Sequence, residues 1–554
     1  MTLSAACASR PQTVDVQVLA FNDFHGTLEP AAGSNGRVQA ADAGGVEFFA
    51  SRMAQLRAAN ANTIVVSAGD SIGASTLMSG MFHDEPTIEA LNAVGLQIST
   101  VGNHEFDEGW AELYRMQHGG CHPADGCQDQ TPFAGATFEF LSANVDFDPA
   151  QADPQDVARS GWQRRGRAPQ TLFPASTIRE IGGVKIGFIG LVLQGTAEIV
   201  SPAGTRGLTF RPVIEAGNDA AAALTAQGVN AIVLLIHEGG TPGSDDPNGC
   251  DLRGPIVDIA NGLSSDVDVI VSGHTHRAYV CTLGTKLVTS ALSLGRVITD
   301  IELTIDRRSG DVVRKSARNE VVTRDLPKSA TVTALLDHYR PLAAALGSRP
   351  VGMVTTELLR RSNPAGESAL GDVVADAYLE RGLAVDPAAV AALTNAGGIR
   401  ADLIGRPPAQ PGGPRQVVYE HAFDMLPFGN VVVVKSMTGE GILQWLEQQF
   451  DNPEPASDTI LQSSGLTYRY TRTRPPGQRV DRQSLMIGGR PLVPAQRYRI
   501  VSVDFVWNGG DGFTTAAAGT DPVAVGVDVD VFVDYLGRQS PLAPGRQDRI
   551  RKQP

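Results

Sequence analysis

The sequence predicts an α/β protein made of two α/β units that a helix connects. Short apolar runs typical of strands alternate with segments of helical spacing through both halves of the chain. Several of these runs end abruptly in a polar turn that contains glycine or another small residue. The chain has 554 residues, which is more than one hydrophobic core accommodates, so two or more domains are expected.

The first half contains the regular alternation. Apolar and β-branched runs predict strands over 14–21, 63–67, 97–101, 184–191, 231–236 and 267–271. Helical spacing predicts helices over 46–59, 85–94, 214–227 and 254–263. Small residues at 28–44 predict a loop, and polar residues at 118–135 and 148–170 predict surface excursions. Residues 286–323 alternate as antiparallel strands do, so residues 13–326 are predicted to form an α/β sandwich.

The second half begins after a helix. Periodicity over 327–348, interrupted at Pro341, predicts a connector helix; the alternative is one more packed helix of the first domain. Residues 349–541 are predicted to form the second α/β unit, with helices over 367–380, 439–450 and 529–536. Its predicted strands are 390–394, 431–435 and 498–504. Residues 1–12 are expected to be disordered, and the tail 542–554 is expected to be loose.

Charge and hydropathy exclude two classes of partner. The net charge is −14, and no run of Lys or Arg occurs, which argues against binding to a nucleic-acid polymer. No stretch of 18 apolar residues occurs, so no membrane-spanning helix is expected. Small residues precede Cys7 and resemble the end of a lipoprotein signal, which predicts a lipid anchor at Cys7; the alternative is an incidental cysteine in a disordered start. The protein is expected to be a monomer.

The remaining cysteines predict the compartment. Cys121 and Cys127 flank a short polar loop, and Cys250 and Cys281 bracket a strand. Two disulfides are predicted from this arrangement, and they suit an oxidising compartment, either periplasmic or extracellular. None of the four lies in a CxxC motif, so a thiolate metal site is not expected.

Polar side chains collect at the ends of the first-half strands. They are Asp23, His25, Asp70, Asn103, His237, His274 and His276. Ligands of open α/β sheets bind beyond the carboxyl ends of the strands, so these loops are expected to converge. The Asp-x-His and His-x-His spacings place alternate side chains on one face of an extended segment. Taken singly, each histidine is more often a loop or core residue, but the recurrence at five strand ends predicts metal ligands.

The donor types predict two metal ions. Carboxylate and imidazole together suit zinc, manganese or cobalt rather than calcium. Seven donors exceed what one tetrahedral ion needs, whereas two ions about 3.5–4 Å apart, bridged by one carboxylate, fit the number. His104 is left over and is predicted to contact a substrate phosphate, with Asp107 placed to orient its ring.

Four stretches of the second half suggest a site for a flat, polar ligand. They are 366–372, 395–400, 427–430 and 505–513, and they combine glycines with aromatic and polar residues. Phe428 and Phe505 are candidates to sandwich a base, Arg400 to bind phosphate or ribose oxygens, and Asp511 to accept hydrogen bonds from a ribose diol. The alternative for the phenylalanines is the core, and for the Gly-Gly-Asp-Gly run a tight turn.

These motifs resemble a known family. NDFHG at 22–26, GDS at 69–71, GNHEFD at 102–107, HE at 237–238 and GHTH at 273–276 resemble the calcineurin-like metallophosphatases. The second-half motifs narrow the resemblance to the 5′-nucleotidase/UDP-sugar hydrolase family, over roughly residues 13–540. The resemblance implies an N-terminal four-layer α/β/β/α metallophosphatase sandwich, a C-terminal α/β nucleotide-binding domain, and a hinge near residues 327–350.

The resemblance also implies residue roles. Asp23, His25 and His276 would hold one ion, and Asn103, His237 and His274 the other, with Asp70 bridging the two. His104, paired with Asp107, would be the catalytic histidine. In the second half it implies base stacking by Phe428 and Phe505, ribose or base contacts by Asn395, Gly397 and Asp511, and an anionic contact by Arg400. Family members place a substrate-binding arginine at or just before the residue matching Glu367; here Arg361 lies in a different register, or the contact is lost.

The expected function is hydrolysis of nucleotides by a two-metal phosphoesterase. A 5′-nucleotidase is the first expectation, with UDP-sugars and 2′,3′-cyclic nucleotides as further candidate substrates. One alternative is a related two-metal hydrolase of a non-nucleotide ester, similar to the thiosulfohydrolases. The other is a non-catalytic surface binding protein with a relict site.

Overall fold

The structure is a computed structural model that describes residues 12–31, 33–162, 170–200, 204–450 and 460–553. The expectations for residues 1–12 therefore fall outside it except at Gln12, and so does the proposed anchor at Cys7. Among the described residues, no helix combines the length and apolar character needed to cross a bilayer.

The first half consists of strands and helices in alternation, followed by antiparallel strands. Its strands are β1 (Thr13–Phe21), β2 (Arg37–Val38), β3 (Ala41–Asp42), β4 (Thr63–Ser67), β5 (Ile98–Thr100), β6 (Glu139–Leu141), β7 (Val145–Phe147), β8 (Ser176–Ile181), β9 (Val184–Val192), β10 (Leu208–Phe210), β11 (Ala231–His237), β12 (Val269–Ser272), β13 (Ala278–Leu283), β14 (Lys286–Ala291), β15 (Val297–Asp306) and β16 (Val312–Val321). Its helices are α1 (Val46–Arg57), α2 (Leu77–Gly80), α3 (Glu85–Val94), α4 (Trp110–His118), α5 (Pro154–Ser160), α6 (Thr196–Ile199), α7 (Val213–Thr225) and α8 (Pro255–Gly262).

Two sheets pack face to face in this half. One has the strand order β16-β15-β1-β4-β5-β6 and the other β13-β14-β12-β11-β9-β8. Alternate residues of a strand point to opposite faces, and Val18 accordingly lies in the core between the sheets while Leu19 packs with α1 and α3. On the second sheet, Val233 faces the first sheet and Leu234 packs with α7 and α8. The predicted four-layer α/β/β/α sandwich is therefore confirmed.

The second half begins after helix α9 (Ala330–Gly347) and is a smaller α/β unit. Its strands are β17 (Pro350–Val354), β18 (Ala389–Thr394), β19 (Arg415–Val418), β20 (Val431–Thr438), β21 (Gln462–Ser464), β22 (Leu466–Tyr470), β23 (Met486–Ile487), β24 (Arg490–Pro491), β25 (Arg497–Val503), β26 (Thr520–Val527) and β27 (Ile550–Lys552). Its helices are α10 (Ala369–Val385), α11 (Tyr419–Met425), α12 (Gly439–Gln448), α13 (Asp504–Trp507) and α14 (Asp528–Gln539). The main sheet has the order β21-β18-β25-β20-β26, and α10, α12 and α14 contribute to its core.

Helix α9 packs on both halves. Val332, Leu336 and Tyr339 are buried in the core that α1 and α3 share with the first sheet. Pro341 lies inside the helix without ending it. At the far end, a side chain on Gly347 would meet Leu77 of α2 and Glu420 of α11. Helix α9 therefore contacts both halves, and its C-terminal end lies between α2 of the first half and α11 of the second.

Residues 28–44, predicted to be a loop, contain some regular structure, and the tail, predicted to be loose, is docked. Residues 28–44 contain the short β2–β3 hairpin, and the Arg324 guanidinium donates to the carbonyls of Ala31, Gly36 and Ala43. The C-terminal tail is docked, because β27 pairs in parallel with β22. Each segment is held by a partner distant in sequence, which its own composition does not reveal.

The tail is anchored by Glu367, at the start of the 366–372 stretch. Glu367 is fully buried, and its carboxylate accepts hydrogen bonds from the backbone N–H groups of Arg549 and Ile550 at 3.0 and 3.4 Å. Arg549 in turn donates to both carboxylate oxygens of Asp376 on α10, at 2.8 Å each. Ser368 caps α10 by accepting from the Gly371 N–H. This stretch therefore serves the architecture of the second half.

Both predicted disulfides are present in the structure. Cys121 pairs with Cys127, and their Cα atoms are 4.7 Å apart. Cys250 pairs with Cys281 on β13, with Cα atoms 5.2 Å apart. The first closes the short polar loop that follows α4, and the second ties the 241–253 loop to the sheet.

Candidate functional site

Neighbouring parallel strands bring the predicted ligands to one edge. β1, β4 and β5 run parallel in the first sheet, and β9, β11 and β12 in the second. Because the carboxyl ends of parallel strands lie at the same edge, the turns that follow them meet between the sheets. The residues delivered there are Asp23 and His25 after β1, Asp70 after β4, Asn103 after β5, His237 at the end of β11, and His274 and His276 after β12.

One ligand group consists of Asp23, His25 and His276. One side-chain atom of each lies within 4.8 Å of the other two. The Nε2 atoms of His25 and His276 are 3.0 Å apart, and His276 Nε2 is 3.2 Å from Asp23 Oδ1. Burial lowers the pKa of both histidines, so they are neutral at neutral pH, as metal ligands must be. The His25 Nδ1 atom is 3.0 Å from the Gly73 carbonyl, which leaves Nε2 for an ion.

The other group consists of Asp70, His237 and His274, with Asn103 beside them. His237 Nε2 is 3.0 Å from Asp70 Oδ2, and His274 Nδ1 is 3.1 Å from Asn103 Oδ1. His237 Nδ1 contacts the Ala68 carbonyl at 2.8 Å, so its Nε2 faces the group. Burial lowers the pKa of His274 to about 4, which leaves its lone pair free. Burial opposes a charge on His237, yet Asp70 raises its pKa to about 10, so this buried position favours a cation.

Asp70 reaches both groups. Its Oδ2 atom lies 3.0 Å from His237 Nε2 and 3.7 Å from His25 Nε2. His237 Nε2 is buried, and despite its short distance to Asp70 Oδ2 it has hydrogen-bond geometry to none of the described residues, which suits an atom that ligates a metal ion. The donor set therefore fits two divalent ions that share one carboxylate. Five of the seven donors have φ between 49° and 69°, a strained region for residues other than glycine: Asp23, His25, Asp70, His274 and His276.

Glu105 organises the loops and was not singled out by its sequence. Its buried carboxylate accepts hydrogen bonds from the N–H groups of Asp70, Ser71 and Gly102 at 2.8, 2.7 and 2.5 Å. These bonds hold the turn after β4 against the turn after β5. Glu105 is therefore a positioning residue for Asp70 and Asn103. The only sequence signal was a second carboxylate in the 103–107 loop, which did not distinguish it from a solvated side chain.

His104 and Asp107 form a hydrogen-bonded pair beside the ligands. His104 Nδ1 lies 2.8 Å from Asp107 Oδ2, and Asp107 also accepts from the Ala74 N–H at 3.2 Å. Burial disfavours the imidazolium, but Asp107 and Asp70 outweigh burial and raise the pKa of His104. One His104 nitrogen also lies within 4.8 Å of ligand atoms of His25 and Asp70. The geometry therefore allows His104 either to donate a proton to substrate or to ligate an ion.

Two residues of the second half reach this pair. The Phe428 ring stacks on the His104 ring, with centroids 5.7 Å apart and planes at 19°. The Arg400 guanidinium carbon is 5.8 Å from the Phe428 centroid. Burial lowers the pKa of Arg400, and the nearby carboxylates of Asp70 and Asp107 partly offset this effect. The guanidinium therefore lies close to these carboxylates. The structure therefore joins Arg400 and Phe428 to the first-half site.

Asn395, Gly397 and Asp511 form a second cluster nearby. The Asn395 side-chain amide donates to Asp511 Oδ2 at 2.7 Å. A Cβ on Gly397 would lie 3.6 Å from the same carboxylate oxygen and 3.8 Å from the Asn395 amide, so the glycine leaves the approach open. Burial raises the pKa of Asp511, and the charges of Arg400 and His104 oppose that rise. The Asp511 carboxylate therefore lies close enough to Arg400 and His104 for their charges to act on it.

The last two candidates are placed differently. Phe505 is half-buried and packs over Gly510, and no ring contact joins it to Phe428 among the described residues. Arg361 is exposed, and within the described chain no hydrogen bond or ion pair links it to the other candidates. Its neighbour Arg360 instead donates to the Arg400 carbonyl, and its N–H donates to Asp402 at 2.8 Å. The local loop thus positions Arg360 against the 395–400 turn.

Comparisons with known proteins agree with this arrangement. The sequence matches the calcineurin-like phosphoesterase family over residues 16–278 and the 5′-nucleotidase C-terminal domain family over residues 349–518. The solved structure of a 5′-nucleotidase precursor from Thermus thermophilus is similar, with a TM-score of 0.77 and 26% identity over 97% of this chain and 99% of that one.

Two curated relatives are longer than this chain. A cell wall protein of Listeria monocytogenes is 30% identical over 558 residues, covering 95% of this chain and 67% of that protein. The endonuclease YhcR of Bacillus subtilis is 29% identical over 548 residues, covering 97% of this chain and 41% of that protein. The chain therefore spans about two thirds of the first relative and less than half of the second.

Proposed function

The chain belongs to the calcineurin-like phosphoesterases that carry a 5′-nucleotidase C-terminal domain, and on this premise we propose that it hydrolyses nucleoside 5′-monophosphates. Metal-dependent hydrolysis of phosphoric esters is the reaction of the family. The choice of a nucleotide is supported by one observation in particular. Arg400 and Phe428 of the second half lie against His104 of the first, so an anion-binding and a stacking side chain border the catalytic pair.

The metal centre would use the two ligand groups described above. Asp23, His25 and His276 would hold one ion, and Asn103, His237 and His274 the other, with Asp70 shared between them. When bound, two such ions neutralise phosphate oxygens and lower the pKa of water. The imidazole–carboxylate set favours zinc, manganese or cobalt.

His104 and Asp107 would act on the phosphoryl group. In phosphoryl transfer, catalysis is mostly positioning and charge stabilisation. Asp107 holds the Nδ1 proton of His104, so Nε2 is the atom that donates to a phosphate oxygen or to the leaving alkoxide. Asp107 itself is held by the Ala74 N–H, which fixes the imidazole plane.

The second half would select the nucleoside. The Phe428 ring offers a face for base stacking, with Phe505 as the second aromatic candidate. Asp511, oriented by Asn395, has the acceptor capacity that a ribose diol requires. Arg400 would bind phosphate oxygens in a fork, as guanidinium groups do.

A substrate panel tests the proposal. The protein is stripped of metal, refilled separately with zinc, manganese or cobalt, and assayed for phosphate release from AMP, UMP, UDP-glucose, 2′,3′-cyclic AMP and p-nitrophenyl phosphate. We expect kcat/KM for a nucleoside monophosphate to exceed that for the aryl phosphate, and Arg400→Lys to retain more activity than Arg400→Ala. Equal rates on all esters, or no phosphate release with any ion, would contradict the proposal.

An envelope or extracellular location is part of the proposal. Two disulfides in the structure suit an oxidising compartment, and one relative is a cell wall protein. Fractionation of the producing cell, with a thiol-labelling assay of the four cysteines, would test it. Free thiols at those positions in freshly isolated protein would argue for a reducing compartment.

A further inference from the structure

A second group of metal-ligating side chains lies outside the site just described. It consists of His83, Glu108, Glu112, His122 and Asp125, here called the His83 cluster. His83 lies between α2 and α3, Glu108 precedes α4, and Glu112 lies in the first turn of that helix. His122 and Asp125 lie in the loop that the Cys121–Cys127 disulfide closes. Three separate segments therefore converge on one point.

The donor atoms of this cluster are already close together. One ligand atom each from His83, Glu108, Glu112 and His122 lies within 4.8 Å of the other three. His83 Nδ1 is 2.7 Å from Glu108 Oε2. A tetrahedral zinc ion with bonds of about 2.0–2.1 Å keeps its ligand atoms roughly 3.3 Å apart. Side-chain rotations are therefore enough to close the group around an ion.

The second nitrogen of His83 is fixed as in many metal sites. His83 Nε2 is 2.8 Å from Asp125 Oδ2, so a carboxylate holds the nitrogen that faces away from Glu108. Pairs of this kind orient ligating histidines and set their tautomer. The loop carrying Asp125 cannot move far, because the disulfide closes it on both sides.

The charge of the surroundings favours a cation. Arg115 donates to Glu112 and Glu85, while Glu108 and Asp125 have no guanidinium or ammonium partner among the described residues. Burial opposes charge on His83, yet Glu108 and Asp125 raise its pKa to about 9, so a bound ion would have to displace the proton on His83 Nδ1. An excess of carboxylates over cations remains around it.

The stacking of the His83 and His122 rings must also change on binding. The His83 and His122 rings are stacked, with centroids 3.6 Å apart and planes at 15°. Ring nitrogens donate in the ring plane, so two parallel rings cannot both point at one ion. Burial and the neighbouring His83 charge lower the pKa of His122, and its Nδ1 lone pair accepts from the Asp125 N–H at 3.2 Å, a bond that must break before this nitrogen can bind an ion. His122 lies in a loop of exposed residues, and a tilt of its ring out of the stack would aim that lone pair into the cluster.

From these contacts we propose that the His83 cluster is a third divalent-metal site, taking zinc, with His83, His122, Glu108 and Glu112 as ligands and Asp125 as the partner of His83. Two imidazoles with carboxylates are the donors that zinc and related ions prefer over calcium. The ion would pin the disulfide-closed loop to the start of α4. Glu108 directly follows Asp107, and His83, Glu108, His104 and Asp107 line one cavity of about 100 Å³. The site therefore adjoins the catalytic pair but shares no ligand with the Asp70 centre.

Metal stoichiometry tests the site without any activity measurement. The full chain is stripped of metal, titrated with zinc chloride and analysed by calorimetry and elemental mass spectrometry. We expect His122→Ala and Glu108→Gln each to bind one equivalent fewer than the wild type. His338→Ala is the matched control, because His338 is also paired with a carboxylate, Asp129 at 3.3 Å, but lies outside the cluster. It should bind as many equivalents as the wild type.

Crystals soaked in zinc chloride would locate the bound zinc ion. Anomalous scattering at the zinc edge should show a peak among His83, His122 and Glu108, separate from the peaks at Asp70, and the two rings should no longer be stacked. Equal stoichiometry in the wild type and both cluster variants, or zinc peaks only at the Asp70 centre, would overturn the proposal. Absence of zinc from the Asp70 centre alone would count against the proposed function, whereas zinc at the His83 cluster would still support the third site.

Discussion

Replacing His104 with alanine separates the two roles that its geometry allows. Its Nδ1 atom is paired with Asp107 at 2.8 Å, as a proton donor requires, yet one of its nitrogens also lies within 4.8 Å of ligand atoms of His25 and Asp70. We expect the first role. Removing a general acid lowers turnover by about 10²–10⁴-fold, which corresponds to roughly 3–5 kcal/mol of activation free energy.

The structure also predicts that the His104→Ala variant keeps its metal. The backbone N–H of residue 104 donates to Asp70 Oδ1 at 2.9 Å, and alanine preserves that bond. Glu105 continues to hold the N–H groups of Asp70 and Gly102, so both turns stay in place. Every donor of the two ligand groups remains. Metal content should therefore match the wild type while kcat falls.

The assay combines two measurements on the same preparation. Elemental analysis gives metal per chain, and phosphate release from AMP gives kcat and KM. Asp107→Asn and the double variant complete a cycle; because the two side chains act as a pair, their effects should be far from additive. Loss of one metal equivalent in His104→Ala would make His104 a ligand, and unchanged turnover would remove it from the reaction; either result refutes the reasoning.

Three further predictions concern recognition, loop order and pH. Phe428→Ala should raise KM for AMP by about 5–150-fold, since base stacking on an aromatic ring contributes roughly 1–3 kcal/mol. The KM for p-nitrophenyl phosphate should stay nearly unchanged, and equal effects on both substrates would defeat the stacking role. Glu105→Gln should lower the melting temperature and zinc occupancy, because an amide turns a donor toward N–H groups and leaves them unpaired at about 1–3 kcal/mol each; calorimetry showing wild-type values would contradict this. Burial raises the pKa of Asp528 to about 7, so the free energy of unfolding should fall as pH rises from about 4 to 7, by about 4 kcal/mol at most, since only the unfolded carboxyl ionises there. Asp528→Asn should flatten that dependence in denaturant titrations at pH 5 and pH 8, and a slope identical to the wild type would show that the carboxyl does not carry it.

Local patterns predicted most of the regular structure of the first half. The strand Thr63–Ser67 and the helix Glu85–Val94 have the bounds that their sequences predicted. Their apolar periodicity and turn residues act within a few positions, so the sequence contains the whole signal. The docked C-terminal strand and the β2–β3 hairpin were missed because Glu367 and Arg324, which hold them, lie far away in the chain.

The candidate site was also predictable from the sequence only in part. The convergence of the seven predicted ligands could be expected because each comes at the end of a strand, and strand ends meet at one edge. Glu105 was not recognisable, because its role depends on which backbone N–H groups the fold turns toward it. The His83 cluster was missed for a similar reason, since its members come from three segments that only tertiary packing joins.

The sequence by itself determined the alternation of strands and helices and the position of the predicted ligands at strand ends, because periodicity and turn residues act within a few positions. The four-layer arrangement followed from the resemblance of the motifs to a family, and the Cys250–Cys281 disulfide joins residues 31 positions apart. Only the tertiary structure decided that Arg400 and Phe428 approach His104, that Arg361 remains exposed and apart from them, and that the tail closes on Glu367. Those contacts depend on how the two halves pack about α9, which no spacing within either half specifies.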